Sequence, residues 1–372
     1  MKIAILVSGL PPDRIGGAEM QAMHVARHLS SRHDVRVYTR TAKVPVELAD
    51  GPRCVVIRRT PVAIRGLRFP LDIVATLLHL WRDRARIDVI IAYQTLIDGL
   101  IAVVARTLLR VPVIVSVRGP VEYRLGESLQ RRLLAPFVLA RATRIAVQTE
   151  AMRDDLIRAF EAHRSRPALS PSALMRRLFV WPNGIDATDS PAKPEFVLFI
   201  GRLVAVKGAH FFVEAARNCR EQRFVLVGDG PERAGLEKAA RGLPNVEFAG
   251  MVSYEGVGAY LARAKVLVIP SVQEGQSNAA MEAMVRGIPV VASRVGGLPA
   301  LVEDGVTGFL VTPGDVTALT ACIRRLAEDP ALRASLGDRS RRAMERHRWP
   351  NVIAILERVL GEIRSHPDSH QP

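Results

Sequence analysis

The sequence predicts an α/β protein made of two doubly wound parallel sheets, on three observations. First, short runs such as "KIAILVS" (2–8), "DVIIAY" (88–93) and "KVLVIPS" (265–271) are apolar throughout. That is the pattern of strands buried on both faces, as helix-covered parallel sheets require. Second, helical stretches such as "AEMQAMHVARHLSS" (18–31) and "DGLIAVVARTLLR" (98–110) separate those runs. Third, the 372 residues exceed the length at which a single core stops growing.

Taken in order, the first half offers strands at "KIAILVS", "DVRVYTR", "CVVIRR", "DVIIAY", "VPVIVSV" and "RIAVQT". The second repeats the grammar with "EFVLFIG", "RFVLVGDG", "VEFAG", "KVLVIPS", "IPVVAS" and "GFLVTPG". The polar, proline-containing stretch "DATDSPAKP" (186–194) marks the boundary. Residues 1–187 are expected to form one Rossmann-like domain and 188–365 another, with the sheets facing each other across a cleft. The last helical segment, "WPNVIAILERVLGEIRS" (349–365), could cap either domain. The tail "HPDSHQP" (366–372) is expected to be disordered.

Composition narrows the partners. Hydrophobic residues make up 48% and charged residues 24%, as in ordinary soluble globular proteins. Cys54, Cys219 and Cys322 lack metal-ligand spacing and read as reduced thiols in a cytoplasmic protein. The opening apolar run is too short for a signal peptide, and no run is long enough to span a bilayer. The net charge of +15 is uneven: up to Ser190 there are 29 Lys+Arg against 17 Asp+Glu, and beyond it 23 against 20. The first half is therefore expected to meet something anionic. Aromatics are only 5% and no basic, aromatic-interleaved motif appears, which argues against nucleic acid.

Ligands of open α/β sheets bind beyond the carboxyl ends of the strands, so residues just after strands carry the functional reading. "FIGRLVAVKG" puts Arg202 and Lys207 there, spaced to clamp a diphosphate. "VGDGPE" supplies Gly228 and Gly230, where backbone could approach a ligand. "EGQSNAAMEAM" (274–284) carries two carboxylates, Glu274 and Glu282, with a helix start between them. Ser277 or Asn278 is its expected N-cap, and free N–H groups around 276–280 would face a phosphate. Near the amino terminus, Gly16 and Gly17 lie in a loop entering a helix.

Together these motifs resemble the family-4 retaining glycosyltransferases of the GT-B fold. The resemblance rests on "GGAEMQ" (16–21), "PNGID" (182–186), "GRLVAVKG" (201–208), "VGDGPE" (227–232) and the stretch from Glu274 to Asp315. It implies that a nucleotide sugar is the donor, a UDP-sugar favoured over a GDP-sugar, with no cofactor and no metal. Arg202 and Lys207 would hold the diphosphate and stabilise the departing nucleotide, and Glu282 would bind ribose hydroxyls. Glu274, the first glutamate of the E-x7-E motif, would contact the donor sugar. Gly16, Gly17, Asn183, Gly228, Gly275, Gln276, Ser277 and Asn278 complete the implied donor site. Two departures stand out. Val206 precedes Lys207 where many members carry glutamate. Arg118, in "SVRGPVEYR", lies at or near a position where many carry histidine close to the donor sugar; an acceptor phosphate is its alternative ligand.

The first domain would then hold the acceptor. Residues 58–86 and 123–144 mix leucines and aromatics with arginines, as segments lying in an anionic membrane interface do. That points to a glycan or lipid-linked acceptor, such as a surface-polysaccharide precursor, met at the inner face of the cell membrane. The rival readings are a sugar-nucleotide epimerase or hydrolase on the same fold and a basic, non-catalytic binder of membrane or nucleic acid.

Overall fold

In a computed structural model of the chain, the described residues are 1–10, 16–40, 53–56, 68–119, 122, 129–162, 170–186 and 194–365. They fall into two compact units, Met1–Asn183 with Trp349–Pro372, and Gly184–Arg348.

The first unit is built on β1 (Lys2–Val7), β2 (Asp34–Thr39), β3 (Arg53–Val56), β4 (Val89–Ala92), β5 (Val113–Val117), β6 (Arg144–Val147) and β7 (Leu178–Val180). Their order is β3-β2-β1-β4-β5-β6-β7, and every pairing is parallel. The order reverses beside β1, which places the switch point between β1 and β4. On one face, Ile3, Ile5, Val89 and Ile91 pack with the helices Gly17–Ser30 and Trp349–Ser365. On the other, Ala4, Leu6, Ile90 and Val115 pack with the helices Ile97–Leu109 and Leu129–Arg141. Burial on both faces is why these strands read as unbroken apolar runs.

The second unit contains β8 (Phe196–Ile200), β9 (Phe224–Val227), β10 (Val246–Gly250), β11 (Ala264–Ile269), β12 (Val290–Ser293) and β13 (Gly308–Val311). They run parallel in the order β10-β9-β8-β11-β12-β13, with the switch point between β8 and β11. The helices Tyr254–Ala262 and Asn278–Val285 cover one face, and Ala209–Asn218 and Val316–Glu328 the other.

Two details differ from the sequence reading, and a third settles what it left open. Strand β7 was not anticipated: three half-buried residues, "LFV", carry too little pattern. The units part between Asn183 and Gly184, inside "PNGID", and not at 187/188. The last helix goes back to the first unit, where Trp349, Val352, Leu356 and Leu360 are buried against Met20 and Met23. Each such side chain contributes roughly 1.5–3 kcal/mol on burial. Trp349 also stacks on His24 and His28, at 5.5 and 5.0 Å between ring centroids. Within the expected boundary stretch 186–194, residues 187–193 lie outside the described residues, as does the tail 366–372.

Candidate active site

In the second unit, three loops at the carboxyl ends of adjacent strands interlock. The loop after β8 carries Arg202 and Lys207, the loop after β9 carries Gly228, and the loop after β11 carries Glu274. Glycines make the close approaches possible. A Cβ on Gly228 would lie 1.9 Å from the Gly201 carbonyl oxygen, and Gly228 has φ +137°. Leu203 N donates to Asp229 O at 2.9 Å, so the residues flanking Arg202 are anchored while its side chain is exposed. What approaches Gly228 closely is therefore the neighbouring loop.

Lys207 closes a single 3-10 turn, Ala205–Lys207, ended by Gly208 in the left-handed region at φ +65°. A side chain at Gly208 would meet the Pro270 carbonyl at 2.0 Å, and Val272 N donates to Val206 O at 2.9 Å. These contacts bring the β8 and β11 loops side by side. Lys207 Nζ then donates to Glu274 Oε2 at 2.7 Å, and the buried Ser271 hydroxyl donates to the same oxygen at 3.2 Å. The Glu274 side chain is about nine-tenths buried, with 10% exposure.

Ser277 is the N-cap of the helix Asn278–Val285, its hydroxyl accepting from Ala280 N at 3.3 Å. Gln276 and Ser277 are buried, and Gly275 and Asn278 half-buried. Glu282 sits in the second turn of this helix, half-buried rather than on a solvated face. The β12 loop packs against the backbone of the Glu274 loop. A Cβ on Gly296 (φ +54°) would lie 1.8 Å from the Glu274 carbonyl oxygen, and Gly297 N donates to Gly275 O at 3.1 Å. Gly208, Ser271, Gly296 and Gly297 were not singled out from sequence. The paired glycines after an apolar run were the available signal.

The remaining anticipated residues lie in the first unit. Gly16 is the N-cap of the helix Gly17–Ser30, and the Glu19 carboxylate folds back over it, at the position from which a capping box reaches. Arg118 follows β5. Its guanidinium lies over the rings of Tyr93 (4.6 Å) and Trp181 (5.2 Å), and Nη1 donates to Asn183 Oδ1 at 2.9 Å. Gln148 Nε2 donates to that same oxygen at 2.9 Å. Burial pulls the Arg118 guanidinium below its usual pKa. Arg118 N and Thr95 N each donate to Glu122 at 2.7 Å, tying the loops after β5 and β4 together. At the switch point, Asp98 is buried and its pKa is pushed up to about 6 by desolvation, against the pull of Arg40 and Ser8.

A parallel α/β sheet whose strand-end loops gather a lysine, a carboxylate and a capped helix start is the mark of a phosphate-ester or nucleotide site. Comparison with known proteins makes this specific. Residues 16–173 match the model of the glycosyl transferase 4-like domain, and residues 194–329 that of glycosyl transferases group 1. The chain belongs to this glycosyltransferase family, and its two-unit α/β architecture is of the GT-B type. It is 37% identical over 149 residues to an alpha-D-kanosaminyltransferase of Streptomyces kanamyceticus, covering 38% of this chain and 39% of the relative. It is 33% identical over 257 residues to a D-inositol 3-phosphate glycosyltransferase of Streptomyces avermitilis, covering 62% of this chain and 55% of the relative. The matches thus span less than two thirds of either relative. The structure of Anabaena HepE in complex with UDP and glucose superposes with a TM-score of 0.78 at 22% identity, covering 98% of this chain and all of that one.

Proposed function

We propose that the protein is a retaining glycosyltransferase that moves a sugar from a nucleotide-sugar donor to an acceptor. The observation that carries this reading is the Lys207–Glu274 pair, 2.7 Å apart, with Glu274 in the same loop as the capped start of Asn278–Val285. Arg202 and Lys207 supply cations for a diphosphate, and the helix start supplies N–H groups. Glu282 takes the ribose hydroxyls. As the bond from C1 to the diphosphate breaks, negative charge gathers on the leaving oxygens, where fixed cations are most effective. The acceptor hydroxyl attacks the same face of C1, and its proton passes to a leaving phosphate oxygen. Glu274 orients sugar hydroxyls and stabilises positive charge at C1. With Lys207 and Ser271 both donating to Oε2, that oxygen is held as an electrostatic group and is a poor nucleophile.

The reaction in this reading needs no metal and no cofactor. A uridine donor is favoured, because HepE, a structure of the same fold, was solved with UDP and glucose. The acceptor class is a lipid-linked or surface-polysaccharide precursor, met at the inner face of the membrane by the basic first unit. Among the described residues no helix is long and apolar enough to cross a membrane.

The test is thermal unfolding in EDTA with UDP-, GDP- and ADP-sugars, for the native chain and for Lys207→Ala and Glu282→Ala. A bound ligand at a hundredfold its dissociation constant adds about 2.7 kcal/mol. Stabilisation by one nucleotide class, lost in both variants, is expected; none by any nucleotide would remove the donor site.

A further inference from the structure

We infer that the outer face of three adjacent helices of the first unit docks on an anionic lipid bilayer. The helices are Arg68–Arg82, Ile97–Leu109 and Leu129–Arg141, the middle one in contact with both others. This rests on the membrane part of the proposed function and deepens it by naming the surface.

The polarity of Arg68–Arg82 is partly inverted. Leu71, Val74, Leu78 and Trp81 recur at helical spacing on one stripe and are exposed, the last three at 51%, 52% and 47%. Meanwhile Asp72 and Thr76 are buried at 8% and 5%. A water-facing helix puts its polar residues outward, so this stripe is shaped for a different surrounding. Leu108 on the middle helix and Leu129, Leu133 and Phe137 on the third continue the exposed apolar surface. Apolar exposure spread over three neighbouring elements marks an interaction surface, unlike single scattered leucines.

Charge selects the partner. Arg82, Arg84, Arg86, Arg110, Arg132 and Arg141 are exposed on or just beyond these helices. The only carboxylates within the three helices, Asp72 and Asp98, are buried. The Arg84 guanidinium lies 4.8 Å from the Trp81 ring and that of Arg141 lies 4.0 Å from the Phe137 ring. Apolar side chains ringed by arginines, with aromatics among them, match the interface between acyl chains and anionic headgroups. A second copy of the chain fits worse, because a two-fold interface would press these arginines against their own equivalents, and the three helices themselves expose no carboxylate to meet them. Nucleic acid supplies the charge but nothing for the leucines.

Of the three tryptophans, Trp181 and Trp349 are buried at 1% and 2%, so Trp81 reports on this face. The full chain would be sedimented with vesicles of phosphatidylcholine, alone or with a minority of phosphatidylglycerol, while tryptophan emission is recorded. Binding to the anionic vesicles with a blue shift, weakened by salt and absent on neutral vesicles, is expected. The exposed double variant Leu78→Glu/Leu133→Glu should bind roughly tenfold or more weakly and keep its thermal stability with and without UDP. That last reading separates a failed docking face from a failed donor site. Native protein that ignores anionic vesicles, or a double variant that binds them equally well, overturns the inference. A concentration-dependent dimer broken by Leu78→Glu, with no vesicle binding, would hand the face to a second copy.

Discussion

Lys207 and Glu274, from loops after different strands of the second sheet, share a hydrogen bond of 2.7 Å at the carboxyl ends of β8 and β11. Their separation in sequence is 67 residues, and neither is placed by its own element. Gly208 against Pro270 brings the lysine in, and Gly296 against the Glu274 carbonyl fixes the glutamate.

This pair should behave as a unit in kinetics. Lys207→Ala is expected to lower kcat by about 10²–10³, the usual effect of losing one donor to developing negative charge. Glu274→Ala should lower it by a similar order. The double variant should fall far short of the product of the two losses, because each single change already disables the shared arrangement. Multiplicative losses in steady-state assays would mean that the two side chains act separately.

Gly296→Ala should destabilise the second unit while adding only a methyl group. Its Cβ would lie 1.8 Å from the Glu274 carbonyl oxygen at a backbone φ of +54°. Overpacking of this kind costs about 1–3 kcal/mol, and each kcal/mol lowers Tm by about 2–4 °C in a domain of this size. Gly305→Ala is the control, with φ +74° but nothing within 4 Å of the added Cβ. Equal Tm losses in the two variants would reduce the effect to backbone strain.

Asp98 should make stability depend on pH. Its folded pKa of about 6 stands above the ordinary 3.8, so the native state holds the proton more tightly than the unfolded chain. Between about pH 4 and 6 the native state then binds more protons, and stability falls as pH rises. Two pKa units correspond to about 3 kcal/mol. This contribution is fully present below the unfolded pKa and lost above the folded one. Asp98→Asn should flatten that part of the profile in denaturant titrations from pH 4 to 7; parallel native and variant profiles would show that Asp98 is not the source.

Arg118 should act first as a packing group. Its guanidinium spans Tyr93 and Trp181 while bonding to Asn183, a combination that needs a planar, delocalised cation. Arg118→Lys is expected to cost about 1–2 kcal/mol, read by chemical denaturation. Unchanged stability, with weaker binding of a phosphorylated acceptor, would make Arg118 a ligand residue instead.

Much of this molecule was legible from its residues. Unbroken apolar runs such as "VLVIP" and "IPVVAS" announced parallel strands, because only burial on both faces permits such runs. The lysine, the two glutamates and the helix cap were legible too, because residues that follow a buried strand must emerge at the sheet's carboxyl edge. The three-residue strand β7 was not, since "LFV" is too short to carry a period. Nor was the crossing at Asn183, held by Arg118 and Gln148 from other strands.

By itself the sequence determined the two doubly wound sheets and the list of polar residues at their strand ends, because local periodicity and turn chemistry act over a few residues. Only the tertiary structure decided which of those residues touch, that the last helix returns to the first unit, and that Gly228 and Gly296 serve neighbouring loops. It also decided that Leu78 and Trp81 face outward while Asp72 does not. Those outcomes depend on close approach between segments far apart in the chain, where a single carbonyl oxygen or methyl group determines the fit.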